Sequence, residues 1–151
     1  MVHEGIHRSH LALLPASADR RALYAWAASQ SEEGDVFLVP PTWGEFRLVT
    51  RRAVVVDWKV VPFEAAEVAE WIARIDAITG GAGVPAGADR IDEAYMSLTC
   101  AQLQDVATRY GALYVVLPGE RDPCGPVAYQ DAAWSVWSVR RVDERASRAE
   151  P

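Results

Sequence analysis

The spacing of apolar residues along this chain alternates between two periods, one helical and one typical of buried strands. Three segments with helical spacing and three continuous β-branched runs follow one another in turn, and such runs suit a sheet that is covered on both faces. Helices are predicted over about 17–31 and 64–79, and a third begins at Thr99, whose spacing to Gln102 is that of a capping box. Shorter helical turns are predicted over 43–51 and 90–97. Strands are predicted over 36–39, 53–56 and 114–117.

The last strands are predicted to form a hairpin, in which 127–129 pairs with 134–139. Period-two alternation predicts that Trp134 is buried and that Trp137 lies on the opposite face. The pattern as a whole predicts an α/β fold, a three-layer sandwich with a small, mostly parallel sheet and a C-terminal antiparallel hairpin. A single domain is expected over 17–140, between a flexible arm at 1–16 and a disordered charged tail at 141–151.

Composition narrows the class of protein. The chain has 151 residues, 50% hydrophobic and 24% charged, which fits one globular domain with its own core. The formal charge of −6 gives no electrostatic footprint for nucleic acid or anionic lipid. No apolar run approaches the length of a membrane span, and the apolar part of the first residues is too short for a signal peptide. These points predict a cytoplasmic protein without membrane insertion.

The two cysteines are expected to be reduced thiols, as in a cytoplasmic protein. Cys100 opens the capped helix, whereas Cys124 lies in a turn beyond the third strand. We therefore predict that Cys100 and Cys124 are not bridged.

Several segments resemble a known family of uncharacterised soluble domains. The string Phe37-Leu38-Val39-Pro40-Pro41, the run from Arg52 to Lys59, Tyr110-Gly111-Ala112 and the terminal Trp134-x-Val136 carry the resemblance, which spans about residues 20–140. Domains of that family are found at the C-terminus of bacterial multi-pass membrane proteins with a glycosyltransferase-like architecture. The resemblance implies a soluble α/β domain concerned with saccharides or lipid-linked sugars, and it implies no catalytic residues. This chain departs from the family's pattern because it has no membrane helices.

The ends of the predicted strands indicate where candidate site residues lie, because ligands of open parallel sheets bind beyond the carboxyl ends of the strands. Three loops are expected to converge there. Their candidate residues are Thr42, Trp43, Glu45 and Arg47 after the first strand, Asp57, Trp58 and Lys59 after the second, and Arg121 with Glu120 and Asp122 after the third.

Each residue type in this set suggests a role. Lys59 is the chain's single lysine, and Asp57 two positions away could orient or ionise it. Lys59 and Arg47 would anchor an anionic group or stabilise charge, while Asp57 or Glu45 would act as acid or base. Trp43 and Trp58 would stack on an apolar face, and Thr42 and Arg121 would complete the ligand contacts. The plainer alternative is that Asp57 caps a turn and that the cations are solvated or paired on the surface.

Three functions stay open on this evidence. One is a binding module for a polar, anionic or sugar-like small molecule, the second is a small enzyme that uses the same residues, and the third is a protein-interaction domain. No cofactor is predicted, and His3, His7 and His10 lack a fourth ligand of suitable spacing for a metal. Self-association is left open.

Overall fold

The computed structural model describes residues 18–82 and 87–139. Over these residues the chain forms five helices and five strands. In chain order they are α1 (Arg21–Gln30), β1 (Val36–Leu38), α2 (Gly44–Thr50), β2 (Ala53–Val54), α3 (Ala65–Ile78), α4 (Ala88–Met96), α5 (Cys100–Arg109), β3 (Tyr114–Pro118), β4 (Val127–Gln130) and β5 (Trp134–Ser138). The predicted arm and charged tail lie outside the described residues, and so do the three histidines.

The strands form one mixed sheet in the order β2-β1-β3-β5-β4. β1 pairs in parallel with β2 and β3, whereas β5 pairs antiparallel with β3 and β4. The α/β class is confirmed, but the expectation of a mostly parallel sheet was wrong. The hairpin joins the parallel strands at β3, and its two antiparallel pairings together involve more residue pairs than the two parallel ones.

Alternate residues of β3 enter two separate hydrophobic cores. Tyr114 and Val116 pack with residues of α1 and α2, in what we call the α1–α2 core. Val115 and Leu117 pack with residues of α3, α4 and α5, in the α3–α5 core. A strand whose two faces are both covered needs apolar side chains at every position, and this requirement explains the continuous run from Tyr114 to Leu117.

The hairpin follows the predicted alternation. Trp134 lies in the α1–α2 core and Trp137 in the α3–α5 core, so the two indoles are on opposite faces of β5. Both are buried, at 8% and 2% exposure, because both faces of this inner strand are covered. β4 forms the edge of the sheet.

Local capping signals are confirmed at the helix that follows Thr99. The Thr99 hydroxyl accepts from the Gln102 backbone N–H, and the Gln102 side chain accepts from the Thr99 N–H, which completes the capping box of α5. Gly111 after its end has a φ of 71°, a left-handed conformation that favours glycine. Helix α1 begins at Arg21, later than the predicted start at about residue 17, so Asp19 lies before its first turn.

The prediction of free cysteines was wrong, because Cys100 and Cys124 form a disulfide with their Cα atoms 5.3 Å apart. The chain reverses direction between α5 and β3, through Tyr110–Leu113. The loop after β3 therefore returns to the beginning of α5, where Cys100 lies. The prediction considered only that β3 begins at the far end of α5. Because the strand runs back along the helix, the end of β3 lies near the beginning of α5.

None of the helices in the described ranges has the length and apolar character needed to cross a bilayer.

Candidate functional site

A broad cleft of about 1390 Å³ is lined by residues that follow β1 and β2. It brings together two of the three loops expected at the strand ends: Thr42–Arg47 from the first and Asp57–Lys59 from the second. Their closeness is shown at Gly44, where a Cβ atom would lie 3.5 Å from an Asp57 carboxylate oxygen and 3.8 Å from the Lys59 side chain. The cleft is larger than the 300–1,000 Å³ typical of ligand pockets.

Arg47 and Lys59 both line this cleft, and both side chains are exposed. Arg51, which ends α2 in a left-handed conformation with φ of 56°, lines it as well. Among the described residues, none of these three cations forms an ion pair. The cleft therefore offers three cations that no described carboxylate neutralises directly.

Two other arginines that line the cleft are engaged by the protein itself. The Arg20 guanidinium donates to Glu45 at 2.6 Å and lies 4.0 Å from the centre of the Trp43 ring. Arg52 donates to the main-chain oxygens of Ala28 and Ser31 at 2.9 and 2.8 Å, where it satisfies carbonyls at the end of α1. Neither guanidinium is free in the way that Arg47 is.

Glu45 faces Arg20 and Tyr24. Its carboxylate accepts from Arg20 and from the Tyr24 hydroxyl, which is 2.8 Å away. Burial and the neighbouring Glu45 carboxylate together raise the pKa of Tyr24 well above its ordinary value. Glu45 thus holds α2 to α1 through these two contacts.

Asp57 does not meet the Lys59 ammonium in an ion pair. One of its carboxylate oxygens instead accepts from the Lys59 backbone N–H at 2.9 Å, as in an Asx turn. Its main-chain oxygen accepts from the Trp71 indole N–H at 3.0 Å, which ties this loop to α3. The turn-capping alternative for Asp57 is therefore the one that the geometry displays.

The crevice between β1 and β3 is filled by α4. The chain leaves β1 towards β2 on one side and returns to β3 on the other, a topology at which α/β sheets commonly bind ligands. Here the buried Tyr95 hydroxyl lies 3.1 Å from the Leu38 carbonyl and 2.7 Å from the Val116 carbonyl. Burial raises the pKa of Tyr95 far above its usual range, so the phenol stays protonated and able to donate.

Thr42 is bound by the same helix. Its backbone N–H donates to Asp92 at 3.2 Å, and its hydroxyl also donates to that carboxylate. Burial raises the pKa of Asp92, although the two Thr42 hydrogen bonds act in the opposite direction. Thr42 lines the cleft, yet its side chain is already committed to α4.

The third predicted loop does not join the other two. Arg121 donates to the Met96 carbonyl at 2.8 Å and to the Leu98 carbonyl, and so satisfies oxygens at the end of α4. Arg121 is not among the residues that line the cleft. The expected convergence of all three loops was wrong, because α4 and its Tyr95 and Asp92 side chains lie between the first loop and the third.

The two loop tryptophans do not stand at an open mouth as predicted. Trp43 is 2% exposed in the α1–α2 core and contacts Trp134 edge-to-face, with ring centres 4.5 Å apart. Trp58 is half-buried and stacks on Trp71 at 5.6 Å. Both indoles are engaged in packing, and Trp43 has no face left for a ligand.

Sequence reasoning missed Asp92 and Tyr95. It identified Arg51 only as part of a basic patch with Arg47 and Arg52, and the position of Arg51 at the cleft follows from the end of α2. Asp92 and Tyr95 lie in a segment identified only as a short helix, and nothing in its spacing indicates that it closes the β1–β3 crevice. No group of three or more His, Cys, Asp or Glu side chains suited to a metal occurs in the described part of the chain.

Comparison with known proteins gives one match. Residues 18–78 are similar to a family described as a domain of unknown function, DUF6798. The match covers less than half of the chain, but it contains both loops that line the cleft, together with β1, β2 and α3. No curated protein and no solved structure matches this sequence.

Proposed function

We propose that this domain binds an anionic small molecule in the cleft between Thr42–Arg47 and Asp57–Lys59. The observation that carries the proposal is that Arg47 and Lys59, two cations without an ion pair in the described structure, line the same cleft. Arg51 adds a third positive charge at its rim. In a chain of net charge −6, such a local excess of free cations supports recognition of phosphate or carboxylate groups.

Binding is better supported than catalysis. The two candidate acid–base residues are already engaged, Glu45 by Arg20 and Tyr24 and Asp57 by the Lys59 N–H. A general base must be within reach of the proton it removes, and neither carboxylate is paired with a nucleophile. The enzyme alternative therefore has no geometric feature of its own to recommend it.

The ligand class that we favour is a sugar phosphate or a similar acidic saccharide. The volume of the cleft is sufficient for a ligand larger than a simple inorganic anion. The resemblance to soluble domains of glycosyltransferase-like membrane proteins suggests the same class, and this relationship remains part of the proposal.

Glucose 1-phosphate is a suitable probe, with inorganic phosphate and glucose as separate arms. We expect the sugar phosphate to bind, and Lys59→Ala or Arg47→Ala to weaken its affinity by roughly 10-fold each, the cost of one charge-assisted hydrogen bond. Isothermal titration calorimetry measures the affinity. The thermal midpoint should barely change, since both side chains are exposed.

Arg109→Ala is the matched control, because Arg109 is an exposed arginine on α5 that pairs with Asp105 and does not line the cleft. Equal affinities of the wild-type protein and the Lys59→Ala and Arg47→Ala variants would rule out the proposed site. If inorganic phosphate binds as tightly as the sugar phosphate, the cleft is still an anion site, but recognition of a saccharide is ruled out.

Two broader features belong to this proposal. We infer a three-layer arrangement from the two cores that β3 divides, with α1 and α2 on one face of the sheet and α3, α4 and α5 on the other. A cytoplasmic location, predicted on the premise of reduced thiols, now requires that the Cys100–Cys124 disulfide be reduced in the cell, since disulfides persist mainly in oxidising compartments.

A further inference from the structure

The free edge of β2 borders a second, apolar groove. Among the described strands, β2 is the first in the sheet order and pairs only with β1. The Val55 N–H donates to the Phe37 carbonyl at 3.0 Å, so this N–H is directed towards β1. Because successive residues of a strand alternate, the N–H and C=O of Val54 are directed away from β1. An edge of this kind is a template for pairing with another strand.

The groove beside this edge has a volume of about 470 Å³ and a largely apolar lining. Val54, Val56, Val60 and Pro62 line it from the side of β2 and the loop that follows. Ala66, Glu67 and Trp71 line it from α3. It exists because β2 has only two residues, so no strand lies beneath the first turns of the much longer α3.

Exposed apolar side chains continue beyond the groove. Phe63, just before α3, is fully exposed at 102%, and Val61 and Ile72 are about half exposed. Phe63 directly follows Pro62, which lines the groove, so apolar surface continues from the groove along the chain, as on surfaces that a partner covers.

Charge along the groove indicates what kind of partner fits. Asp57 and Glu67 both line it, and neither has an ion pair among the described residues, while Arg47 lines it from the side of α2. Arg74 is already engaged by Glu70 at 2.9 Å and by the Val55 carbonyl at 2.8 Å. The wall that α3 contributes is therefore acidic and complements lysine or arginine side chains.

We propose that this groove binds an extended peptide segment of a partner protein, with alternating apolar and basic residues, which adds a strand to the edge of β2. Main-chain groups of the peptide would pair with Val54, its apolar side chains would lie against the valines, and its basic ones against Glu67. A lipid chain would leave the Val54 main-chain groups and the Glu67 carboxylate without partners. The groove shares Arg47, Ala53, Asp57 and Val60 with the anion cleft, but the inference rests on Val54 and Glu67, which do not line that cleft.

The test uses a labelled peptide, acetyl-Lys-Val-Lys-Val-Lys-Val-Lys-amide, and the full chain, with fluorescence anisotropy as the readout. We expect saturable binding that weakens at least 10-fold when alternate backbone amides of the peptide are N-methylated, because methylation removes the donors that pair with a strand. A peptide of the same composition with its valines grouped, Lys-Lys-Val-Val-Val-Lys-Lys, should bind equally weakly.

On the protein, Glu67→Lys should weaken binding of the alternating peptide by about 10-fold, whereas Asp76→Lys, an equal charge change on α3 outside the groove, should not. Lys59→Ala should also have no effect, which separates this site from the anion cleft. Equal binding of the N-methylated or grouped peptide would overturn strand addition in favour of simple charge attraction. Absence of peptide binding together with concentration-dependent dimerisation would overturn it in favour of a second copy of the chain.

Discussion

Single arginines in this protein differ in function according to the carbonyl or carboxylate groups within their reach. Arg52 and Arg121 each donate to two main-chain carbonyls at a helix end, and Arg20 is held by Glu45. Arg47 has none of these partners in the described structure and stays available at the cleft. Sequence alone cannot separate these cases, because the distances to helix ends are set by tertiary structure.

At the same scale, Asp131 shows how a turn carboxylate can couple stability to pH. One of its oxygens accepts from the backbone N–H groups of Ala133 and Trp134, each at 2.8 Å, and the other accepts from the Tyr129 hydroxyl. Burial acts to raise the pKa of Asp131, but these three hydrogen bonds outweigh it and lower the pKa below its ordinary value of 3.8. Burial and the same contact with Asp131 raise the pKa of Tyr129 to about 12.

We predict that Asp131→Asn lowers the free energy of unfolding by about 1 kcal/mol at neutral pH, a value reduced by the solvent exposure of this turn. A folded-state pKa below the unfolded one stabilises the protein above the unfolded pKa, and this stability is lost as the pH falls through the folded value. The difference between wild type and variant should therefore shrink as the pH falls from about 5 to about 2.

Urea unfolding at a series of pH values measures this difference. Asp122→Asn is the control, because Asp122 is an exposed aspartate in the β3–β4 loop. A difference that stays constant down to the lowest pH, or one that grows, would show that the ionised carboxylate is not the stabilising form.

Among the helices and strands, the difference in length between β2 and α3 explains why one part of the surface stays open. The predicted apolar face of α3 is buried at Ile75 and Ile78, whereas Val68 and Trp71 are only partly buried and Ile72 is half exposed. The difference arises because β2 ends after Val54, with a bend at Val55, so the sheet supports only the second half of α3. The helix itself could be predicted from its periodicity, but its unsupported first half could not.

The disulfide links α5 to the loop that follows β3. It joins the first residue of α5 to the loop after β3, across a sequence separation of 24 residues. Closing a loop of this length restricts the unfolded chain by about 3 kcal/mol in the chain-entropy model. The same loop is also held by Arg121 at the end of α4.

We predict that reduction of Cys100–Cys124 lowers the free energy of unfolding by about 3 kcal/mol without unfolding the domain at room temperature. Urea unfolding with and without a dithiol reductant measures the effect. The double variant Cys100→Ser, Cys124→Ser should match the reduced protein and should not respond to reductant. Identical midpoints for oxidised and reduced wild type would mean that the bridge makes no net contribution to stability.

At the scale of the whole molecule, the fold could be predicted further than the site. The order of helices and strands, the capping box at Thr99 and the opposite faces of Trp134 and Trp137 follow from local spacing, and each is confirmed. The pairing of β5 with β3 depends on contacts across 16 to 24 residues, and the closure of the β1–β3 crevice by Tyr95 on a contact with Val116 across 21 residues. Local patterns carry no information about such contacts.

The same limit applies to the candidate site. The sequence placed Arg47, Asp57 and Lys59 together because the carboxyl ends of adjacent parallel strands lie at one edge, and these residues do line one cleft. Arg121 was grouped with them by the same argument. It is separated from them by α4, a helix whose position between the loops could not be inferred from its spacing.

Mapping where a ligand binds would show whether the cleft between Thr42–Arg47 and Asp57–Lys59 is an anion site. Backbone ¹H–¹⁵N chemical shifts of the wild-type protein would be followed during a titration with glucose 1-phosphate. We expect the largest chemical-shift changes at Gly44–Arg47 and Trp58–Lys59, and we expect both segments to saturate at the same ligand concentration. Changes centred on Gly119–Asp122, or no saturable change in either segment, would contradict this expectation.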